Sequence, residues 1–320
     1  MKYVDMHCDT ITRLYESKGS LYQNDLHIDI NKMKKGECLL QNFAIFTSID
    51  KQDSTFTKAC IDYYYKQLEE CKDYLRPVYK YEDILTNEKN GYMNAMLTLE
   101  EGSVIDNDLD NLKWYYDLGV RMITLTWNFE NGIGYPNFVF SENYDVDMYS
   151  TNTINGLTDF GIEFVKRCED LGIIVDVSHL SDKGFYDVLN NTTKPFVASH
   201  SSARSICGVA RNLDDDMIVK LASRGGVTGL NYCSAFIEDH NETITLINKM
   251  VEHINHIVKV GGIDVIGLGS DFDGIDNKLE IENCGGMQLL YEALKKYYSE
   301  EEIEKIFYKN VLRVYKDCLK

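Results

Sequence analysis

Short apolar runs recur along the chain at residues 3–6, 39–47, 93–99, 120–127, 173–177, 195–198, 226–232 and 264–269. Most are bounded by Gly, Ser, Asn or Asp, a pattern that predicts strands. Between them lie stretches of helical period at 56–75, 109–118, 157–171, 182–189, 214–223 and 243–260, and two more, 287–298 and 300–318, end the chain. Pro77 stands just beyond the first helix, and Gly172 and Gly261-Gly262 close two others. Residues 10–38 read as polar and loop-rich. Residues 128–153, rich in Asn, Gly, Tyr and Asp, read as a long insertion after the fourth strand. Loops of that length in a compact domain are usually functional or disordered.

Eight strand–helix units in regular alternation predict an α/β fold, a (β/α)8 barrel. The 320 residues exceed the roughly 250 of a typical barrel. The expectation is a single domain over 1–320, with the loop insertion at 128–153 and C-terminal helices at 287–318. A doubly wound open sheet is the alternative. The first strand–helix turn lacks the glycine-rich phosphate fingerprint, which weighs against a nucleotide-binding version.

The stretch 171–204, LGIIVDVSHLSDKGFYDVLNNTTKPFVASHSSAR, makes one statement twice. One strand ends in Ser178-His179 and the next in Ser199-His200. In parallel α/β folds the C-terminal strand ends are where chemistry is done. A single histidine there is more often a bonded loop residue than a ligand, so the other strand ends decide. They carry His7 and Asp9 after the first strand, Glu100 or Glu101 after the third, and Asp271 after the eighth. The remaining histidines, His27, His240, His253 and His256, read as solvated loop or surface-helix residues.

Side chains alternate with period two along a strand. His7 and Asp9 then share a face. Glu100 shares one with Met96 and Thr98 and points into the barrel, while Glu101 lies with Ala95, Leu97 and Leu99 and points away. Asp176 has the parity opposite to His179 and is expected toward the helices, with a role behind the ligands as the alternative. Three histidines, an aspartate and a glutamate exceed what one tetrahedral zinc with an open position takes. They suit two ions sharing a carboxylate, zinc first, with manganese or cobalt as substitutes.

Composition adds limits. At 44% hydrophobic and 26% charged, the chain is ordinary for a soluble globular protein. A formal net charge of −18 argues against nucleic acid or an anionic membrane as partner. No apolar run approaches the roughly 20 residues of a membrane span. A strand-like run follows Met1 almost at once, leaving no room for a secretory leader, so the expected location is cytoplasmic. The nine cysteines form no C-x-x-C pair and are expected as reduced, mostly buried thiols.

The motifs DMHCDT, LTLEEG, VDVSHLS, ASHSSARS, VARN and GSDFDG, with KNVLRVY near the C-terminus, resemble those of the membrane (renal) dipeptidase family, peptidase family M19. They occur in order and cover nearly the whole chain. The resemblance implies a TIM barrel of the metal-dependent hydrolase type with two zinc ions. It implies that His7 and Asp9 ligate one zinc, that His179 and His200 ligate the other, and that Glu100 bridges them. Arg211 matches the arginine that grips the substrate carboxylate. Asp271 matches the aspartate that contacts the substrate amine end or handles the proton. One departure stands out. Vertebrate members carry a histidine at the end of the fourth strand that donates to the scissile carbonyl. Here Trp127 occupies that place, with Asn128 beside it as a second donor. The tyrosine after the seventh strand is also shifted, with Tyr232-Cys233 in its place. The secretion signal and lipid anchor of the mammalian members are not expected.

The activity so implied is hydrolysis of dipeptides, with tolerance of a D-residue at the C-terminal position. Metal-bound hydroxide attacks the peptide carbonyl, Asp271 passes the proton to the leaving amine, and Arg211 holds the carboxylate. Trp127, Asn128 and Tyr232 are further candidates for contact with the small peptide substrate, and the 128–153 loop helps close the site. A homodimer is implied by the resemblance alone. Trp127 keeps open a related metal-dependent amidohydrolase acting on an N-acyl-amino acid or a cyclic amide. A third reading is a barrel that keeps metals for structure or binds peptides without turnover.

Overall fold

In the computed structural model, which describes residues 1–48, 50, 54–138, 147–241 and 243–320, eight parallel strands close into a barrel. They are β1 (Tyr3–Asp5), β2 (Cys38–Phe46), β3 (Met93–Glu100), β4 (Val120–Thr124), β5 (Ile174–Asp176), β6 (Val197–Ala198), β7 (Val227–Leu230) and β8 (Ile266–Leu268). Each pairs with its neighbour in sequence, and β8 pairs with β1 through Asp5 and Leu268. The eight strands close on themselves, so the alternative of an open doubly wound sheet does not hold. Helices cover the outside, which is why the strands are buried throughout rather than alternating with solvent. Phe43 of β2, for example, meets Tyr64 of the helix Ser54–Glu70 at 6.1 Å between ring centroids.

The terminal helix Asn310–Cys318 ties into the barrel by polar contacts as well as packing. Asn310 Nδ2 donates to the Ile263 and Ile266 carbonyls at the start of β8 (2.7 and 2.8 Å). Tyr315 and Asn42 exchange hydrogen bonds at 2.8 and 3.0 Å, both fully buried or nearly so.

Residues 10–38 differ from expectation. They hold two helices, Thr10–Ser17 and Ile30–Gly36. Each is short and polar outside, but buries Ile11 with Leu14, or Ile30 with Met33. Asp29 caps the second by accepting the Lys32 N–H at 2.8 Å. A further strand, Leu75–Pro77, extends the sheet beside the start of β3, and the helix Tyr81–Lys89 follows it. The helix expected from 243 begins at Ile247, after the two-residue strand Ile244–Thr245. None of the nine cysteines is in a disulfide, and all but Cys233 are buried. Among the described residues no helix is long and apolar enough to cross a membrane.

His253 also departs from its surface assignment. It is fully buried on the helix Ile247–Gly261, beside Met250 and Ile257 at helical spacing. Its Nδ1 accepts the Ala203 N–H (3.1 Å) and its Nε2 donates to the Ile237 carbonyl (2.8 Å). Burial lowers its pKa to about 4. The unfolded chain protonates near 6.5, so between those values it binds more protons than the folded state. The stabilisation is complete above pH 6.5 and is lost as pH falls, by about 2–3 kcal/mol at pH 4.5. Urea unfolding at pH 7 and 4.5 is expected to show a smaller acid loss for His253→Gln than for wild type. Equal losses would remove His253 from the acid response.

Candidate metal centre

Two buried aspartates pin the strand ends that carry the site. Asp5 closes β1 and accepts the Ser270 N–H (2.8 Å) and hydroxyl (2.6 Å) beyond β8, together with the His7 N–H (3.3 Å). Asp176 closes β5 and accepts the N–H groups of Ser178 (3.0 Å) and Ser199 (2.8 Å) and the hydroxyl of Thr124 (2.6 Å). Each carboxylate joins neighbouring strand ends. The period-two expectation for Asp176 fails. Asp176 pairs with Thr124, and Thr124 with Glu100, so Asp176 shares the face of Glu100. His179 reaches the same region because the strand has ended before it. There the chain turns, and His179 adopts left-handed backbone with φ 69°.

Glu100 lies between two sets of donors. Its Oε2 is 3.3 Å from His7 Nε2, which is 3.3 Å from Asp9 Oδ2. Its Oε1 is 3.1 Å from His179 Nε2 and 3.6 Å from His200 Nε2. Those two nitrogens are 3.1 Å apart, and the His7 and His200 rings stack at 3.8 Å. All five side chains are buried. Asp9 is the N-cap of the helix Thr10–Ser17, yet its carboxylate makes no capping bond. It turns to His7 instead. Donor atoms of His7, Asp9 and Asp271 also lie within 4.8 Å of one another.

Hydrogen bonds fix which nitrogens are free. His179 Nδ1 is 2.8 Å from Asn128 Oδ1, which only accepts, so Nδ1 carries the proton. Ser199 gives its hydroxyl proton to Asp176 and accepts from His200 Nδ1 at 2.7 Å. Both Nε2 atoms are then bare lone pairs, and burial holds both rings well below the ordinary histidine pKa, hence neutral. Two lone pairs and a carboxylate oxygen this close repel one another unless a cation joins them. On the other side, His7 Nε2 and Asp9 Oδ1 are buried without a hydrogen-bond partner, a costly arrangement. Burial pushes Glu100 up to about 8, with His7 pulling against it and Asp9 adding to the rise. Burial pulls His7 down, but Glu100 and Asp9 outweigh it and hold the ring well above its usual range. This imidazole and carboxylate set fits a metal such as zinc.

The turn after β8 is held in strained backbone, with φ 62° at Asp271 and 68° at Asp273. Asp271 Oδ2 accepts from Asn231 Nδ2 (2.9 Å), and its Oδ1 is 3.9 Å from His7 Nε2. Asp273 accepts the His27 N–H (2.7 Å) and the Thr10 hydroxyl (2.5 Å), while its own N–H goes to His27 Nδ1 (3.0 Å). His27 thus supports this turn and is not a solvated loop residue. A side chain at Gly274 would overlap the Asp9 and Asp271 carboxylates, so GSDFDG requires glycine there. Glu101 points away from the donors, as expected, but braces the loop after β4. It accepts the N–H groups of Trp127 and Ser103, both at 2.7 Å, and a bond from Asn131 Nδ2.

The residues expected to meet substrate separate. Arg211 is buried, donates from Nη1 to Ser201 Oγ (2.7 Å) and from Nη2 to the His200 carbonyl (3.2 Å), and has an unpartnered Nε. Burial lowers its pKa to about 10, against the pull of Asp271, which leaves it charged at neutral pH. Asn128 is at the centre, but as the partner of His179. Trp127 is half-buried, its ring 5.1 Å from Phe46 and 6.1 Å from His179. Tyr232 is not brought to the group. Its hydroxyl meets Met287 Sδ at 3.7 Å and its ring packs edge-on to Phe272. Strand alternation turns its neighbour Asn231 to the site instead, donating to the His200 carbonyl (3.2 Å) and to Asp271. The described flanks of the 128–153 loop lie against the Arg211 segment. Asn137 Nδ2 donates to the Ala210 carbonyl, and the Ala210 N–H to that of Met148 (2.9 and 2.7 Å). Residues 139–146 of that loop lie outside the described residues.

Comparisons with known proteins place the chain in one family and agree with the barrel fold. The family model described as Membrane dipeptidase (Peptidase family M19) matches residues 1–319. An uncharacterized dipeptidase of Schizosaccharomyces pombe is 32% identical over 317 residues, covering 92% of this chain and 73% of the relative. Among solved structures, the dipeptidase AC, a metallopeptidase of family M19, superposes with a TM-score of 0.91 at 24% identity, covering 100% of this chain and 99% of its own. A metallopeptidase from Rhodobacter sphaeroides, liganded with a phosphinate mimic of the dipeptide L-Ala-D-Ala, gives 0.90 at 23% identity and 99% coverage of both chains.

Asn128→Ala removes the acceptor that fixes the His179 tautomer. Outer partners of ligating histidines are worth about 10–100-fold in metal affinity. Competition against a chromophoric chelator is expected to show a loss of that size. Unchanged affinity would mean that His179 is oriented without Asn128.

Proposed function

The chain belongs to the membrane dipeptidase family, peptidase family M19, and on that premise we propose that this metallodipeptidase works at two zinc ions bridged by Glu100. His7 and Asp9 hold one ion, and His179 and His200 the other. The observation that carries this reading is the division of Glu100, one carboxylate oxygen toward His7 and the other toward His179 and His200. When bound, such a metal pair supplies Lewis acidity and lowers the pKa of water toward about 7.

The chain's own residues supply the rest. Arg211 is a desolvated guanidinium with an unused Nε, suited to the C-terminal carboxylate of a dipeptide. Its bonds to Ser201 and to the His200 carbonyl aim it from the His179 and His200 side. Asp271 is raised to about 6, by burial first and by Asp9 against the pull of His7. A carboxyl titrating there can take a proton and give it to the leaving amine near neutral pH. Asn231 holds one Asp271 oxygen and leaves the other facing His7. The fourth-strand histidine of the vertebrate enzymes is replaced by Trp127, whose indole can donate one hydrogen bond but cannot take a charge. The mimic of L-Ala-D-Ala held by the Rhodobacter sphaeroides peptidase supports tolerance of a D-residue at the second position.

Zinc-loaded enzyme assayed against L-Ala-L-Ala, L-Ala-D-Ala, N-acetyl-alanine and a cyclic amide separates the readings. Hydrolysis of both dipeptides is expected, with the acyl and cyclic compounds at least about tenfold slower, the effect of 1.4 kcal/mol on the barrier. Preference for either of the latter would favour an amidohydrolase outside dipeptide chemistry. His200→Ala is expected to lose more than the roughly 100-fold seen for outer partners of metal ligands. Full activity in that variant would contradict the two-ion reading.

A further inference from the structure

Behind Arg211 a second guanidinium holds the backbone that carries it. Arg204 Nε donates to the Asn212 carbonyl (2.9 Å) and its Nη2 to the Ala210 carbonyl (3.0 Å), one on either side of Arg211. The same guanidinium makes a bidentate pair with Asp182, from Nη1 to Oδ2 at 2.8 Å and from Nη2 to Oδ1 at 2.7 Å. Asp182 is buried and Arg204 largely covered, while Asp214 approaches Nη1 only to 4.0 Å. Asn137 closes the group, donating from Nδ2 to Asp182 Oδ1 (2.8 Å) and to the Ala210 carbonyl (2.9 Å). Backbone bonds complete the join. The Arg204 N–H goes to the Leu213 carbonyl (2.8 Å) and the Leu213 N–H to that of Ser202 (3.0 Å).

These contacts tie three segments of the site together. Asp182 opens the helix Asp182–Asn191, three residues beyond His179, and Arg204 follows His200 by four. The third segment is the turn that carries Arg211. A planar fork can span a carboxylate and two carbonyls at once, which a single ammonium cannot do. We propose that Arg204, backed by Asp182, is a positioning residue for Arg211. It sets where the Arg211 guanidinium stands relative to the His179 and His200 strand ends, and so where the carboxylate of a dipeptide is held. Ser201 and the His200 carbonyl orient the tip of Arg211, and Arg204 fixes its base. The inference rests on the reading of Arg211 as the carboxylate site.

The test compares zinc-loaded wild type, Arg204→Lys, Arg211→Ala and the double variant on Ala-Ala and on its C-terminal amide, which lacks the carboxylate. Arg204→Lys keeps a cation beside Asp182, because removing one partner of a covered ion pair threatens the fold, but loses the fork. A misplacement of 1 Å can cost about 100-fold, so a partial one in Arg204→Lys is expected to raise KM for Ala-Ala about tenfold. Its kcat should stay nearly unchanged, and the amide should be cleaved as in wild type. The preference for Ala-Ala over the amide then falls. In the Arg211→Ala background Arg204→Lys should lower that preference no further, since residues acting through one another are not additive. Asp182→Asn, of the same shape without the charge, should lower it by a smaller factor. A preference that both Arg204→Lys and Asp182→Asn leave unchanged, while Arg211→Ala lowers it, overturns the positioning role alone. An equal loss on both substrates, or a further fall in the Arg211→Ala background, overturns it too. If Arg211→Ala itself leaves the preference unchanged, the carboxylate reading fails and the positioning role with it.

Discussion

The Glu100 carboxylate lies between two sets of donors, His7 with Asp9 on one side and His179 with His200 on the other, and the site depends on holding them there. Glu100 has one oxygen 3.3 Å from His7 and the other 3.1 Å from His179. Neither arrangement is comfortable for protein atoms alone. The His179 and His200 lone pairs point at each other and at an oxygen, and the His7 Nε2 lacks a hydrogen-bond partner. The barrel supplies the constraint that keeps them together. Its strands end on one rim, and closure through β8 and β1 fixes their spacing.

Holding that rim falls to buried carboxylates that take no part in the donor cluster. Asp5 joins the ends of β1 and β8, and Asp176 joins those of β4, β5 and β6. Glu101 holds the loop after β4, and Asp273 with His27 holds the turn that carries Asp271. His179, Asp271, Asp273 and Glu101 all have left-handed backbone, which costs of order 1–3 kcal/mol each for such residues. These hydrogen bonds are what keep the strained turns in place. The site is thus preorganised by residues one shell outward, as metal sites commonly are.

Much of this was legible in the sequence because strands buried on both faces read as apolar runs and because ligands at strand ends interrupt them. His7, Asp9, Glu100, His179 and His200 stand out for that reason, and the structure draws them together. What was not legible lay where periodicity stops. Parity counted from His179 misplaces Asp176, because the strand ends between them and the count no longer applies. The substrate contact expected at Tyr232 falls one position away, because alternation along β7 turns Asn231 to the site instead. His253, by contrast, lies at helical spacing from Met250 and Ile257, so its burial is written in the helix period, and the contacts with Ala203 and Ile237 satisfy its ring. The helices of 10–38 are too short for their period to stand out from a polar background.

The proposal that Glu100 serves two donor sets predicts two metal ions per chain and not one. Metal content and anomalous diffraction on zinc-loaded protein test this directly. The account predicts two ions per chain, one beside His7 and Asp9 and one beside His179 and His200, on either side of the Glu100 carboxylate. A single saturating ion, or a second one held away from Glu100, would contradict it.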